Sequence, residues 1–79
     1  MHQCQIRYRN SQGTLLRILL AATRRGLDLH SVRAEPEGAS HRATLQLEAN
    51  ARQLAQLGRD WRAIVDVLEV GQPMPQGDA

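Results

Sequence analysis

The sequence predicts an α+β fold in which two helices cover one face of a four-stranded antiparallel sheet. Three observations lead there: short segments in which apolar and polar residues alternate, two segments whose apolar residues recur at the helical period, and Gly or Asn at the junctions between them. Hydrophobic residues make up 42% of the 79-residue chain and charged residues 23%, which fits one ordinary globular domain with a small core.

From Gln3 to Arg9, Cys4, Ile6 and Tyr8 share one face and Gln5, Arg7 and Arg9 the other, the period of a half-buried strand, β1. Asn10-Ser11-Gln12-Gly13 supplies turn chemistry before a helix, α1, which should end at Gly26. On a helical wheel Leu15, Leu16, Ile18, Leu19 and Ala22 share one broad apolar arc, with Arg17 and Arg24 pointing the other way. Leu27 to Glu35 reads as β2, with a change of apolar parity that predicts a bulge near His30-Ser31. Pro36, Glu37 and Gly38 are expected to form the turn into β3, where Ala43, Leu45 and Leu47 alternate with polar residues.

Asn50 and Gln53 have the spacing of a capping box and open the second helix, α2, whose apolar arc holds Ala51, Leu54, Ala55, Leu57, Gly58 and Trp61. Ile64 to Val70 is rich in β-branched residues and reads as β4. Residues 1–70 then form the domain, and 71–79 are expected to be a frayed tail. The order β-α-β-β-α-β is that of a ferredoxin-like fold, with β2 as an edge strand.

Composition and residue spacing weigh against several function classes. The single cysteine, Cys4, cannot form an internal disulfide, which points to a reducing, cytoplasmic setting. The longest apolar run, Ile18 to Ala22, is far short of the ~20 residues a membrane helix requires. His2, His30 and His41 are scattered, and no pair of acids has a spacing suited to acid–base catalysis, so the chain is read as non-enzymatic. His2 and Cys4 are two potential metal ligands where a closed zinc site needs four. An RNA-binding module shares this element order but depends on aromatic residues across the open sheet face, and the chain has no Phe and one Tyr. Gly13 has two readings: it relaxes a tight strand-to-helix turn, or it opens the backbone of a helix N-terminus to an anionic ligand.

The pattern Asn10-x-x-Gly13-x-Leu15, followed by Arg25-Gly26-Leu27-Asp28-Leu29-x-Ser31, resembles the opening of an ACT domain. It is similar in particular to the small regulatory subunit of acetohydroxyacid synthase, also called acetolactate synthase, of the short isozyme II type. That resemblance implies a non-catalytic cytoplasmic partner of a large subunit in branched-chain amino-acid biosynthesis. Thiamine diphosphate, magnesium and FAD would belong to the large subunit, and this chain itself would bind no cofactor. It further implies homodimers joined through β2 edges, with Val32 and Ala34 at the interface, and an amino-acid effector such as valine between chains. Asn10, Gly13 and Asp28 would line that effector site, Asp28 standing where valine-sensitive members carry Asn. A free-standing ACT amino-acid sensor is the alternative reading, and an RNA-binding ferredoxin-like module the further alternative.

Overall fold

A computed structural model describes residues 1–71 and 74–75. The chain runs β1 (His2–Tyr8), α1 (Thr14–Arg24), β2 (Asp28–Glu37), β3 (Ser40–Glu48), α2 (Ala51–Arg62), β4 (Val67–Val70) and a two-residue β5 (Met74–Pro75). The antiparallel sheet has the order β2-β3-β1-β4, and β5 pairs with the start of β1. This is the expected ferredoxin-like α+β fold. Of the expected frayed tail, only Gly71 and β5 are described; the other tail positions lie outside the described residues.

Alternation in β1 and β3 builds the core. Cys4 pairs with Leu45 and Ile6 with Ala43, and directly opposed residues share a face, so all four point under the helices and are buried. Tyr8 joins them at 1% exposure. From above, α1 contributes Ile18 and Ala22, and α2 contributes Leu54, Leu57 and Trp61. The Trp61 indole N–H donates to the Ile18 carbonyl at 2.9 Å, tying the two helices together inside the core.

Local signals set the helix ends. Gly13 adopts φ +83°, in the left-handed region, at the N-cap of α1. At the other end the amides of Gly26 and Leu27 donate to the carbonyls of Thr23 and Ala22, a Schellman stop that needs the positive φ at Gly26. At α2 the capping box forms as expected: Asn50 Oδ1 accepts from the Gln53 amide at 2.8 Å, and Gln53 Oε1 accepts from the Asn50 amide at 2.9 Å.

Four expectations about element bounds and α1 need correction. Pro36 and Glu37 belong to β2 and not to the turn, which is left to Gly38 and Ala39; on an edge strand a proline without an N–H breaks no ladder bond. β1 stops at Tyr8, so Arg9 leaves the sheet face, its amide donating to the Asp66 carbonyl at 2.8 Å. Ile64 to Asp66 form a turn before β4, because Asp66 at φ 42° redirects the chain. Leu16 is 60% exposed, since it stands roughly 200° around the helix from Ile18 at about 100° per residue. The bulge near His30-Ser31 is present as a register shift between Leu29 and Ser31.

An ion pair between Arg25 and Asp60, extended by Arg25 to Gln56 at 3.2 Å, also joins the helices. The Arg25 guanidinium holds the Asp60 carboxyl below its ordinary range, first through their hydrogen bond and with an opposing effect of burial. The pair therefore stabilises the fold above the usual carboxylate range and loses its effect as pH falls through the lowered value. The urea midpoint of Arg25→Gln should sit below that of the parent at neutral pH, and the gap should close below about pH 4. Asn50→Ala should cost about 1 kcal/mol, read as a lower urea midpoint at unchanged slope.

Candidate functional site

The loop between β1 and α1 is held by side chains that the sequence pattern did not single out. The Ser11 hydroxyl donates to Asp66 Oδ2 at 2.5 Å and lies 2.6 Å from Thr14 Oγ1. A serine hydroxyl has one proton, and here it goes to the carboxylate, so Thr14 must donate to Ser11. The resulting chain, Thr14 to Ser11 to Asp66, clamps the loop against the turn that precedes β4. Thr14 is fully buried, which fixes the first residue of α1. The legible trace of this clamp was Asp66 itself, one of the residue types that tolerate a left-handed backbone.

Gly13 caps α1 without any side-chain hydrogen bond, so the helix's N-terminal end carries no built-in acceptor from its own N-cap. The first-turn amides and the helix dipole together favour negative charge there. A Cβ at Gly13 would meet nothing within 4 Å, so this glycine is required by its backbone angle and not by crowding. Asn10 and Gly13 are both exposed.

Asp28 lies at the other end of the molecule. It opens β2 opposite Glu48, one register step beyond the row that holds His2, whereas the β1–α1 loop follows Tyr8. Six residue steps separate His2 from Tyr8 along β1, which is about 20 Å at roughly 3.3 Å per residue. One chain thus places Asn10 and Gly13 together and Asp28 apart from them. Beside Asp28, Glu48 meets His30 Nε2 at 3.0 Å.

β2 itself is bare. Val32 pairs with Leu45 and Ala34 with Ala43, so both point to the helix side of the sheet, yet Val32 is 42% exposed and Ala34 is exposed as well. The opposite, open face is polar and internally paired. Arg42 forks onto Glu37 with two contacts of 2.8 Å and reaches Gln5 at 2.7 Å, and Arg7 meets Glu69 at 3.4 Å. Arg42 holds the Glu37 carboxyl below its ordinary range through that hydrogen bond. Tyr8 and Trp61 are both buried, so this face offers no aromatic platform on which bases could stack.

The Cys4 thiol is 1% exposed, and burial pushes its pKa up to about 11, which keeps it neutral and unreactive near pH 7. Among the described residues no group of three or more His, Cys, Asp or Glu is placed to hold a metal ion. A concavity of about 570 Å³ lies between α2, the start of β1 and the end of β4, lined by Cys4, Leu54, Gly58 and Trp61 among others. Ala51 and Ala55, expected to be covered, are exposed on its wall. None of Asn10, Gly13 and Asp28 lines it. No helix among the described residues is long and apolar enough to cross a membrane.

No family model matches the sequence, and no curated protein matches it either. Solved structures do match in shape. The ACT domain of the GTP pyrophosphokinase of Chlorobium tepidum superposes with a TM-score of 0.77 at 14% identity, over 92% of this chain and 95% of that one. The acetolactate synthase small subunit of Thermotoga maritima gives 0.77 at 18% identity over 91% of this chain. The chain spans 45% of that subunit's length. The C-terminal domain of MgtC from Mycobacterium tuberculosis gives 0.76 at 16% identity, over 99% and 90% of the two chains. The fold is therefore the one that ACT domains adopt.

Gly13→Ala should destabilise the chain by roughly 1–2 kcal/mol, the cost of a left-handed backbone with a Cβ. Gly13→Asn should recover part of that loss, because Asn tolerates this conformation. Urea unfolding of the three proteins checks both.

Proposed function

We infer that the chain is an ACT-type regulatory module acting in the cytoplasm as the non-catalytic small subunit of an acetohydroxyacid (acetolactate) synthase. The observation that carries this reading is the pairing of an ACT-type fold with a β2 edge whose helix side is apolar and uncovered. An exposed edge strand of ten residues is a template for a second strand, and Val32 and Ala34 add apolar area beneath it. Two copies joined antiparallel along β2 would extend the sheet and cover both residues.

The same pairing gives the effector site its logic. An antiparallel β2 pair sets the Asp28 end of one copy beside the end of the other copy that carries the β1–α1 loop. Asn10 and Gly13 of one chain and Asp28 of its partner then face one ligand, such as valine or another amino acid. The amides after Gly13 suit its carboxylate, and the Asp28 carboxylate suits its ammonium. Thiamine diphosphate, magnesium and FAD would serve the large subunit, where the bond-making takes place.

A second reading, a free-standing amino-acid sensor, is favoured by the equally good fit to the ACT domain of a GTP pyrophosphokinase. One assay separates the two. Acetolactate formation by the large subunit from the same organism should rise several-fold on addition of this chain, and Val32→Glu, by breaking the edge pairing, should yield a monomer in sedimentation and lose the stimulation. No rise and no complex would leave the sensor reading.

A further inference from the structure

α1 carries more apolar surface than the sheet can cover. Ile18 is fully buried on the core side, while Leu16 and Leu20, each about 160° from it at roughly 100° per residue, stand outward at 60% and 37% exposure. Leu16 and Leu20, one turn apart, thus form a short apolar strip on the side of the helix that faces away from the core. Leu20 also belongs to a groove between the helices, with Arg17, Ala21 and Arg24 on the α1 wall and Asp60, Ala63 and Ile64 on the other. Val65, 77% exposed, follows Ile64 directly and adds apolar surface next to that wall.

Charge decides what this groove accepts. Arg17 and Arg24 have no carboxylate partner among the described residues, and Asp60, the acid lining the groove, is already claimed by Arg25. Two uncompensated guanidiniums thus stand about 10 Å apart along α1, at about 1.5 Å per residue, with leucine between them. A nucleic acid would waste the leucines. A polypeptide with apolar residues on one face and acids at its margins satisfies every group in the groove.

We propose that the α1–α2 groove, with Leu20, Arg17 and Arg24 on its α1 wall and Leu16 one turn before Leu20 on the outer face of the same helix, docks an acidic amphipathic segment of the catalytic large subunit. This rests on the small-subunit reading and adds to it the surface that grips the partner. The groove lies on the α2 side of α1, away from β2, so docking there leaves the β2 edge free for self-pairing.

The test is binding of the purified large subunit from the same organism, at low and high salt, to the parent chain and three variants. Leu16→Glu/Leu20→Glu and Arg17→Glu/Arg24→Glu should each weaken the complex roughly tenfold or more, as loss of interface anchors does. Arg52→Glu, which reverses an exposed cation outside the groove, should leave it unchanged. Parent affinity should fall with salt, and the arginine variant should lose that dependence. All the substituted residues lie toward solvent, and circular dichroism of each variant confirms its fold. A complex equally tight with both double variants overturns the docking site while leaving the small-subunit reading in place. Binding of the parent to anionic lipid vesicles that depends on Leu16 and Leu20, with the large-subunit complex unaffected, also overturns it. No complex with the parent chain overturns the small-subunit reading, and the docking site with it.

Discussion

Trp61 is the bulkiest of the fully buried side chains, and its indole N–H must find an acceptor inside the core. The Ile18 carbonyl supplies it at 2.9 Å, from the middle of the neighbouring helix. An unmet N–H there would cost about 1–3 kcal/mol, so the bond fixes how far apart the helices sit and how they are rotated. Arg25 and Asp60 repeat the link at the surface, where solvent weakens it. With α1 held by its backbone in this way, Leu16 and Leu20 cannot roll inward to join Ile18. Their exposure follows from the same bond that closes the core.

A second constraint is arithmetic. Eleven residues of α1 span about 16 Å at 1.5 Å each, whereas ten residues of β2 span about 33 Å at 3.3 Å each. A helix of this length cannot cover an edge strand twice as long. β3 escapes the problem because it lies between β2 and β1, and its Ala43, Leu45 and Leu47 are fully buried. Val32 and Ala34 point the same way and stay bare. The uncovered edge is thus a consequence of element lengths, and a second copy of the strand is the cover that matches it in length and hydrogen bonding.

These two constraints explain what was legible in the sequence. Period-two alternation at Cys4, Ile6 and Tyr8 and at Ala43, Leu45 and Leu47 made the core strands readable, because one face of each is completely buried and fixes its register. The Asn50 capping box and the Gly26 stop were readable because both are local chemistry. A broad apolar arc does not reveal which half a sheet will cover, and Leu16 lies on the uncovered half. β2 ran on past Glu35 because Pro36 is a turn signal in most settings but is tolerated at an edge. The clamp of Thr14, Ser11 and Asp66 spans fifty-five positions between its serine and its aspartate, and Asp66, though of a residue type that tolerates its left-handed backbone, does not name a partner at that range.

The clamp also bears on the chemistry of the proposed effector site. Its serine lies two residues before Gly13, so the Asp66 carboxylate is a fixed neighbour of the α1 N-terminus. A purely anionic ligand would gain from the first-turn amides and lose to that carboxylate. In the proposed β2-paired dimer the partner copy adds a second acid, Asp28, from the far side. A 2-oxo acid, with no positive group, has nothing to set against either. An amino acid presents its carboxylate to the amides and its ammonium toward the acids, so both charges favour it over the otherwise similar 2-oxo acid. Because the two ends of such a ligand would be held by different chains, binding would draw the two copies together, and the degree of pairing along β2 would rise with ligand concentration by mass action.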